Sequence, residues 1–393
     1  MKYDFETLRS RKGMHAGKWG ALESGPYKDT DYIPFSVADM DLPTPPELVE
    51  AMVERARFGM YGYTMPQDDF YNAVIGWMKT RHGWCVEKDW IVPMSDVVGG
   101  LYEAVKALTE PGDEIIIQPP VYFQFKAAVL DTGRTLVENP LRLNGMHYEM
   151  DYEDLAQKAK TAKAIIVCSP HNPVGRVWSG EELKKLGDIC AENGVYVIVD
   201  EIHADLIRPA VRHIAYGSLG ERYTDNAVIC TAASKTFSLP GLTTSSVIIP
   251  KRDIRDRFSA QLHRDGMHFQ NTFGTLATTV AYTKCAAWVD ELCEHITGNY
   301  EAMKRFLAET MPGVLVYPME GTYLAWVDFS CLGLSPEEQS GFLENDCGVY
   351  TNAGSMFGPL GAGFERINLA CPRKPLMEAL ERIRAAAEKK KLI

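Results

Sequence analysis

Short apolar runs rich in β-branched residues recur through the middle of this chain. Glu114-Ile115-Ile116-Ile117, Ala164-Ile165-Ile166-Val167-Cys168, Val195-Tyr196-Val197-Ile198-Val199, Ala227-Val228-Ile229-Cys230 and Ser246-Val247-Ile248-Ile249 are the clearest. Apolar side chains at both odd and even positions predict strands buried on both faces, as in a sheet covered by helices on each side. Between the second and third runs, Ser179-Gly180-Glu181-Glu182 reads as a capping box. Leu183, Leu186 and Ile189 follow at helical spacing, and Gly194 ends the helix. From about Pro46 to Thr283 the chain therefore reads as one α/β unit. The C-terminal part has a different rhythm: a helical pattern over Trp288 to Thr310, strand-like segments at Gly313 to Pro318 and Tyr323 to Phe329, and a last helix from about Pro375 to Lys390. That pattern is α+β. The division expected is a large domain over residues 46–285, with a smaller α+β domain built from 1–45 and 286–393. The first forty-odd residues, rich in Gly, Pro and Asp, are expected to wrap over the cleft between them.

Composition narrows the classes of function. With 46% hydrophobic residues over 393 positions the chain can bury a large core. A formal net charge of −11 disfavours nucleic acid as a partner. No apolar stretch is long enough to span a bilayer, and the start, Met1-Lys2-Tyr3-Asp4-Phe5-Glu6, lacks the apolar core of a signal peptide. Nine cysteines, an odd number with no Cys-x-x-Cys pair, read as free thiols of a reducing, cytoplasmic compartment. Histidine and cysteine do not cluster at metal-ligand spacing, so no metal is expected.

Three polar residues follow the ends of apolar runs: Asn172, Asp200 and Lys235. In an open parallel sheet, ligands bind beyond the carboxyl ends of the strands, so these groups are expected to share one crevice. Burial favours the neutral amine of Lys235, the form that makes an imine with an aldehyde or ketone. Asp200 would pair with a pyridine nitrogen and make the ring an electron sink. Asn172, in Asn172-Pro173-Val174-Gly175, would donate to a ring hydroxyl or serve as an ordinary turn. Tyr122, after Pro119-Pro120-Val121, would stack on the ring or simply pack. Ser95 or Asp96 would cap the helix that begins nearby, and the N–H groups of Val97 and Val98 would cradle a phosphate, with the Ser234 hydroxyl in support. Arg366 would hold a substrate carboxylate bidentately, or form a surface ion pair. The glycine-rich Gly358 to Gly363 lacks the strand before it and the helix after it that a dinucleotide fingerprint needs.

Taken together, Tyr61-Gly62-Tyr63, Pro120-Val121-Tyr122, Asn172-Pro173-Val174-Gly175, Asp200-Glu201-Ile202-His203, Ser234-Lys235 and Arg366-Ile367-Asn368 resemble fold-type I, pyridoxal-phosphate-dependent class I/II aminotransferases over nearly the whole chain. Within that superfamily the chain is most similar to the MalY/PatB carbon–sulfur lyases, also called cystathionine β-lyases. The pointers are Ala38-Asp39-Met40-Asp41, Ser169-Pro170-His171-Asn172-Pro173, Asp200 to Asp205, Gly321 to Trp326 and Asn368 to Arg373.

The resemblance implies a mostly parallel seven-stranded sheet covered by helices, pyridoxal 5′-phosphate as cofactor and a small amino acid as substrate. It implies Lys235 as imine partner and Cα base, Asp200 at the ring nitrogen, Asn172 and His203 at the ring hydroxyl and Tyr122 on the ring face. Arg366 would hold the α-carboxylate. Tyr63 would reach the cofactor phosphate and substrate of the neighbouring subunit in a homodimer. His203, where most aminotransferases have tyrosine, and Thr243, where many have a phosphate-binding arginine, agree with the lyase branch. Ala232, where a hydroxyl is common, and Asp96 in the phosphate loop depart from both branches and bear on phosphate affinity.

The first reading is α,β-elimination from cystathionine or a related cysteine S-conjugate, giving a thiol, pyruvate and ammonia, with Tyr122 or Lys235 protonating the leaving sulfur. The second is an aminotransferase acting on an amino acid and a 2-oxo acid. A ligand-sensing module is the third, and the chain offers no spare basic segment for it. Tyr32, Phe35 and Tyr63 are expected around the side-chain pocket.

Overall fold

The computed structural model describes residues 2–24, 27, 28 and 30–393. Its centre is a seven-stranded sheet in the order Ile91–Met94, Ser245–Ile248, Ala227–Thr231, Tyr196–Asp200, Ala164–Cys168, Glu114–Ile117 and Thr135–Glu138. Only Ser245–Ile248 runs antiparallel to its neighbours. The apolar runs account for five of these strands. Their two faces feed different cores: Val197 and Val199 pack in one with Leu183, Leu186 and Trp77, whereas Ile198 packs in the other with Leu101, Val105 and Phe258. That division is why the strands carry no polar alternation.

Two strands were not anticipated. Ile91–Met94 contains Pro93, and Thr135–Glu138 is a half-exposed edge whose polar residues hide a strand pattern. Two registers shift by one residue. The strand expected from Val195 starts at Tyr196 because the Val195 amide donates to Cys190 O at the end of the preceding helix. The antiparallel strand is Ser245–Ile248, not 246–249.

The helix Gly180–Asn193 carries the capping box at Ser179 and Glu182, and Gly194 closes it at φ 67°, a conformation that favours glycine. A second sheet, of four strands, is ordered Leu315–Val316, Leu324–Asp328, Phe364–Asn368 and Asn352–Ala353. The expected strand over 313–318 shrinks to Leu315–Val316, because Val314 is held in a turn to Met311 O. The helices flanking this sheet begin slightly earlier than the pattern suggested, at Ala286–Thr310 and Arg373–Lys390.

The N-terminal segment runs across both sheets' surroundings. Phe5 packs edge-on against Trp288, and Ile33–Pro34 pairs in parallel with Val349–Tyr350. Lys18 is buried in an ion pair with Asp41. Among the described residues no helix is long and apolar enough to cross a membrane.

Candidate active site

Three parallel strands end together, and the loops that follow them build one cleft. It is lined by Asn172, Asp200, His203, Ser234, Lys235 and Tyr122, with Val97 and Val98 at one end. Nine of the ten expected site residues therefore converge: these eight and Arg366, which bonds to Asn172. Tyr63 does not line the cleft of its own chain. It is 87% exposed and stacks on Phe269 with ring centroids 4.4 Å apart.

Lys235 sits in the four-residue turn Ala233–Thr236 that follows the strand Ala227–Thr231. Its Nζ donates to Ala38 O at 2.5 Å, which places the N-terminal segment directly over the amine. Burial pushes the Lys235 amine down to about 8, against the opposing pull of Asp39 and Asp200. Asp200 is the last residue of its strand. Burial raises its carboxyl to about 6, while the Ile202 amide, donating to Oδ1 at 3.0 Å, and Lys235 favour the ionised form. Its Oδ2 has no protein donor among the described residues. His203 is buried, its Nδ1 has no partner among the described residues, and its ring meets Tyr323 edge-on at 5.7 Å. Desolvation lowers this imidazole to about 3, so it is neutral at any ordinary pH. The Tyr122 phenol is pushed up to about 12, chiefly by burial and then by Asp200.

Arg366 comes from the second sheet, on Phe364–Asn368. Its Nη1 donates to Asn172 Oδ1 at 3.0 Å and its Nη2 to Asn352 Oδ1 at 2.7 Å, while Phe357 lies beneath the guanidinium at 4.8 Å. Nε is buried with no partner among the described residues. A guanidinium has five N–H donors, so three remain after these two bonds, enough for a bidentate carboxylate. The surface ion-pair reading is thereby excluded: Arg366 is buried and among the described residues pairs with no carboxylate. Burial lowers it to about 10, which leaves it cationic at neutral pH.

At the far end of the cleft, Asp96 caps the helix Val97–Leu108. Its Oδ1 accepts from Gly99 N at 2.7 Å and its Oδ2 from Ser95 Oγ at 3.2 Å. The amides of Val97 and Val98 have no protein acceptor among the described residues. The cap and the free amides thus coexist, and the Asp96 carboxylate is engaged with its own helix start.

Several lining residues carried no sequence signal of their own. Cys168, Ile202, Pro240 and Thr244 complete the wall. Asn352 reaches Arg366 because it stands opposite it in strand register. Tyr32 and Phe35, expected at the side-chain pocket, lie elsewhere: Tyr32 packs on Tyr27, and Phe35 is core because its amide bonds to Tyr350 O beside the short parallel pair.

Residues 30–383 match the family Aminotransferase class I and II. The chain is 41% identical to cystathionine beta-lyase PatB of Bacillus subtilis over 388 residues, covering 98% of this chain and 99% of the relative. It is 29% identical to protein MalY of Escherichia coli, over 95% and 96% of the two chains. Among solved structures, cystalysin from Treponema denticola, which contains a pyridoxal 5′-phosphate cofactor, superposes with a TM-score of 0.96. That match has 37% identity and covers 99% of this chain and all of the other. The chain belongs to the class I and II aminotransferase family, with the mainly parallel α/β fold of the type I pyridoxal-phosphate enzymes.

The residues present fit that cofactor. A pyridine aldehyde phosphate needs an amine for its aldehyde, a carboxylate for its ring nitrogen and donors for its phosphate. The cleft offers the Lys235 amine, the open Oδ2 of Asp200 and the free amides at the helix start.

Proposed function

We propose that this protein is a pyridoxal-phosphate-dependent carbon–sulfur lyase that performs α,β-elimination on cystathionine or related cysteine S-conjugates, releasing a thiol, pyruvate and ammonia. The observation that carries it is the convergence of a low-pKa amine, a buried carboxylate and a buried, unpaired guanidinium around one cleft in a chain 41% identical to a cystathionine beta-lyase. When bound, the cofactor supplies an electron sink that stabilises negative charge at the substrate Cα.

The chain's own residues do the rest. Arg366 binds the α-carboxylate with its spare N–H groups and so orients the Cα–H bond toward Lys235. Asn172, held by the same guanidinium, keeps its amide nitrogen available to the ring hydroxyl, and neutral His203 stands beside it. Asp200 keeps a proton on the ring nitrogen. Tyr122 covers one face of the ring and excludes water from it. Val97, Val98 and Ser234 hold the phosphate. Lys235 Nζ, neutral in a large fraction of molecules near pH 8, takes the Cα proton. The thiolate then leaves Cβ with its bonding electron pair and receives a proton from the Lys235 ammonium or the Tyr122 phenol. The unsaturated amino acid left behind reacts with water to give pyruvate and ammonia.

We place the seven-stranded sheet in a large domain over 46–285 and the four-stranded sheet in a smaller one over 1–45 and 286–393. We also propose a homodimer in which Tyr63 enters the neighbouring cleft, near its phosphate and substrate. Phe58, Met60, Tyr61, Tyr63, Met65 and Phe269 are all exposed, a concentration of apolar surface that favours an interface. All nine cysteines are free and seven are buried, which supports a cytoplasmic location.

The functional test is to supply the purified enzyme with cystathionine and assay pyruvate with and without a 2-oxo acid. Pyruvate without the oxo acid is expected. Product formation that depends on the oxo acid would replace elimination by transamination.

Arg366→Lys separates binding from chemistry. Lysine keeps the positive charge but loses the planar fork and its bonds to Asn172 and Asn352. Loss of a charge-assisted bond is worth about 1.5–3 kcal/mol, so KM is expected to rise about 10- to 100-fold with the imine absorbance intact. An unchanged KM would remove Arg366 from carboxylate binding.

A further inference from the structure

Asp205 is a buried carboxylate that the chemistry above does not use, five residues beyond Asp200 on the same loop. Its Oδ2 accepts from Thr236 Oγ1 at 2.8 Å, and Thr236 is the neighbour of Lys235. Its Oδ1 accepts from Trp77 Nε1 at 3.0 Å and lies 2.9 Å from His82 Nε2. We propose that Asp205, acting through the Thr236 hydroxyl, is the positioning residue that fixes the Lys235 turn relative to the strand end carrying Asp200. The proposal rests on Lys235 being the imine partner and Cα base.

The turn needs such an anchor. Ala233–Thr236 is four residues long, and its N-cap, Ala232, has no side chain that can satisfy the free amides. Lys235 itself cannot supply the anchor, because its amine has to leave Ala38 O and reach first the cofactor and then the substrate Cα. A flexible four-carbon stem delivers its amine reproducibly only if its backbone origin is held. Thr236 is fully buried and bonded, and the next residue, Phe237, packs against Trp77 and Trp288. Trp77 is in turn stacked on Tyr282 at 4.9 Å, so the carboxylate's other donor is also immobile. Burial raises the Asp205 carboxyl, but the bonds from His82 and Thr236 outweigh it and hold the group ionised. One charged group thus ties together the helix Asp68–His82, the loop after Tyr196–Asp200 and the lysine turn.

Thr236→Val tests this, since valine keeps the shape and removes only the hydroxyl. The holoenzyme is expected to lose about 10- to 100-fold in kcat, the consequence of misplacing a catalytic group by about an ångström, with KM changed less than about threefold. A second readout does not depend on turnover. In cofactor-free protein, acylation of Lys235 by an amine-reactive reagent, followed by mass spectrometry against pH, should give a midpoint near 8. In Thr236→Val the midpoint should move up toward that of an ordinary lysine, because the released amine reaches water. Thr236→Ser should restore both. If Thr236→Val does not fold, Asp205→Asn is measured by the same two criteria. Unchanged kcat and an unchanged midpoint, whatever the loss in Tm, would overturn the clamp. If Lys235→Ala retains turnover, the underlying reading of the lysine is what fails.

Discussion

Lys235→Ala is expected to abolish pyruvate release, by at least about 10³-fold, and to remove the absorbance of the lysine imine, while the far-ultraviolet circular dichroism of the protein is unchanged. The loss is large because, in the proposed mechanism, one side chain performs two tasks, binding the cofactor and taking the Cα proton, and neither has a substitute among the groups lining the cleft. The other cleft groups are a carboxylate above its pKa, an imidazole too weakly basic at about 3, and a phenol at about 12 that is protonated. Retained turnover would refute the assignment.

The same variant has a signature in stability. Lys235 titrates near 8 in the cofactor-free folded chain but near 10.5 when unfolded. Between these values the unfolded state holds the extra proton, so the Lys235 contribution rises with pH across that window, and below pH 8 burying the cation destabilises the fold by about 3 kcal/mol. The difference in stability between cofactor-free wild type and Lys235→Ala should therefore slope between pH 8 and 10.5 and be flat below it. A flat difference throughout would mean that the amine is solvated. Mixing Lys235→Ala with Tyr63→Ala tests the shared site: random re-pairing should restore about a quarter of wild-type activity, since half the dimers each regain one complete cleft.

The large sheet was legible because its strands are buried on both faces, which leaves a continuous apolar run in the sequence. The strand 135–138 was not, because an edge strand with one wet face looks like a loop. Asn172, Asp200 and Lys235 were legible for a related reason: a polar residue at the end of a buried run, or within a few positions of it, has to meet either a ligand or another polar group. Asn352 and Asp205 escaped function assignment because their roles depend on register and on packing between distant segments. Asn352 meets Arg366 only through the pairing of two antiparallel strands. Asp205 meets Trp77 across 128 positions of chain. Neither separation leaves a local pattern. Tyr63 was legible through the resemblance alone; it is exposed in the single chain, as the proposed place in a partner's cleft requires.

Asp200→Asn carries the second large effect, and its test separates electrostatics from shape. Asparagine is nearly isosteric and its side-chain oxygen can still accept from the Ile202 amide, so the strand end should keep its geometry. What it cannot do is carry the negative charge that holds a proton on the ring nitrogen. Removing one preorganised electrostatic contact of this kind is worth about 10²- to 10³-fold, so kcat should fall by about that factor while the imine still forms, because Lys235 is intact. Stability should move the opposite way. Asp200 titrates near 6 in the cofactor-free fold and near 3.8 when unfolded, so its contribution is present below pH 3.8 and is lost as pH rises through 6. Above pH 6 the buried carboxylate destabilises the cofactor-free protein by about 3 kcal/mol, and the amide does not. Cofactor-free Asp200→Asn should accordingly melt above the wild type at pH 7, and adding the cofactor should raise the wild type more than the variant. Equal melting temperatures together with full activity would place the ring nitrogen's partner elsewhere. A more stable but slow enzyme would mean that the carboxylate is kept in its buried place for the charge it presents to the ring, at the expense of the fold that holds it.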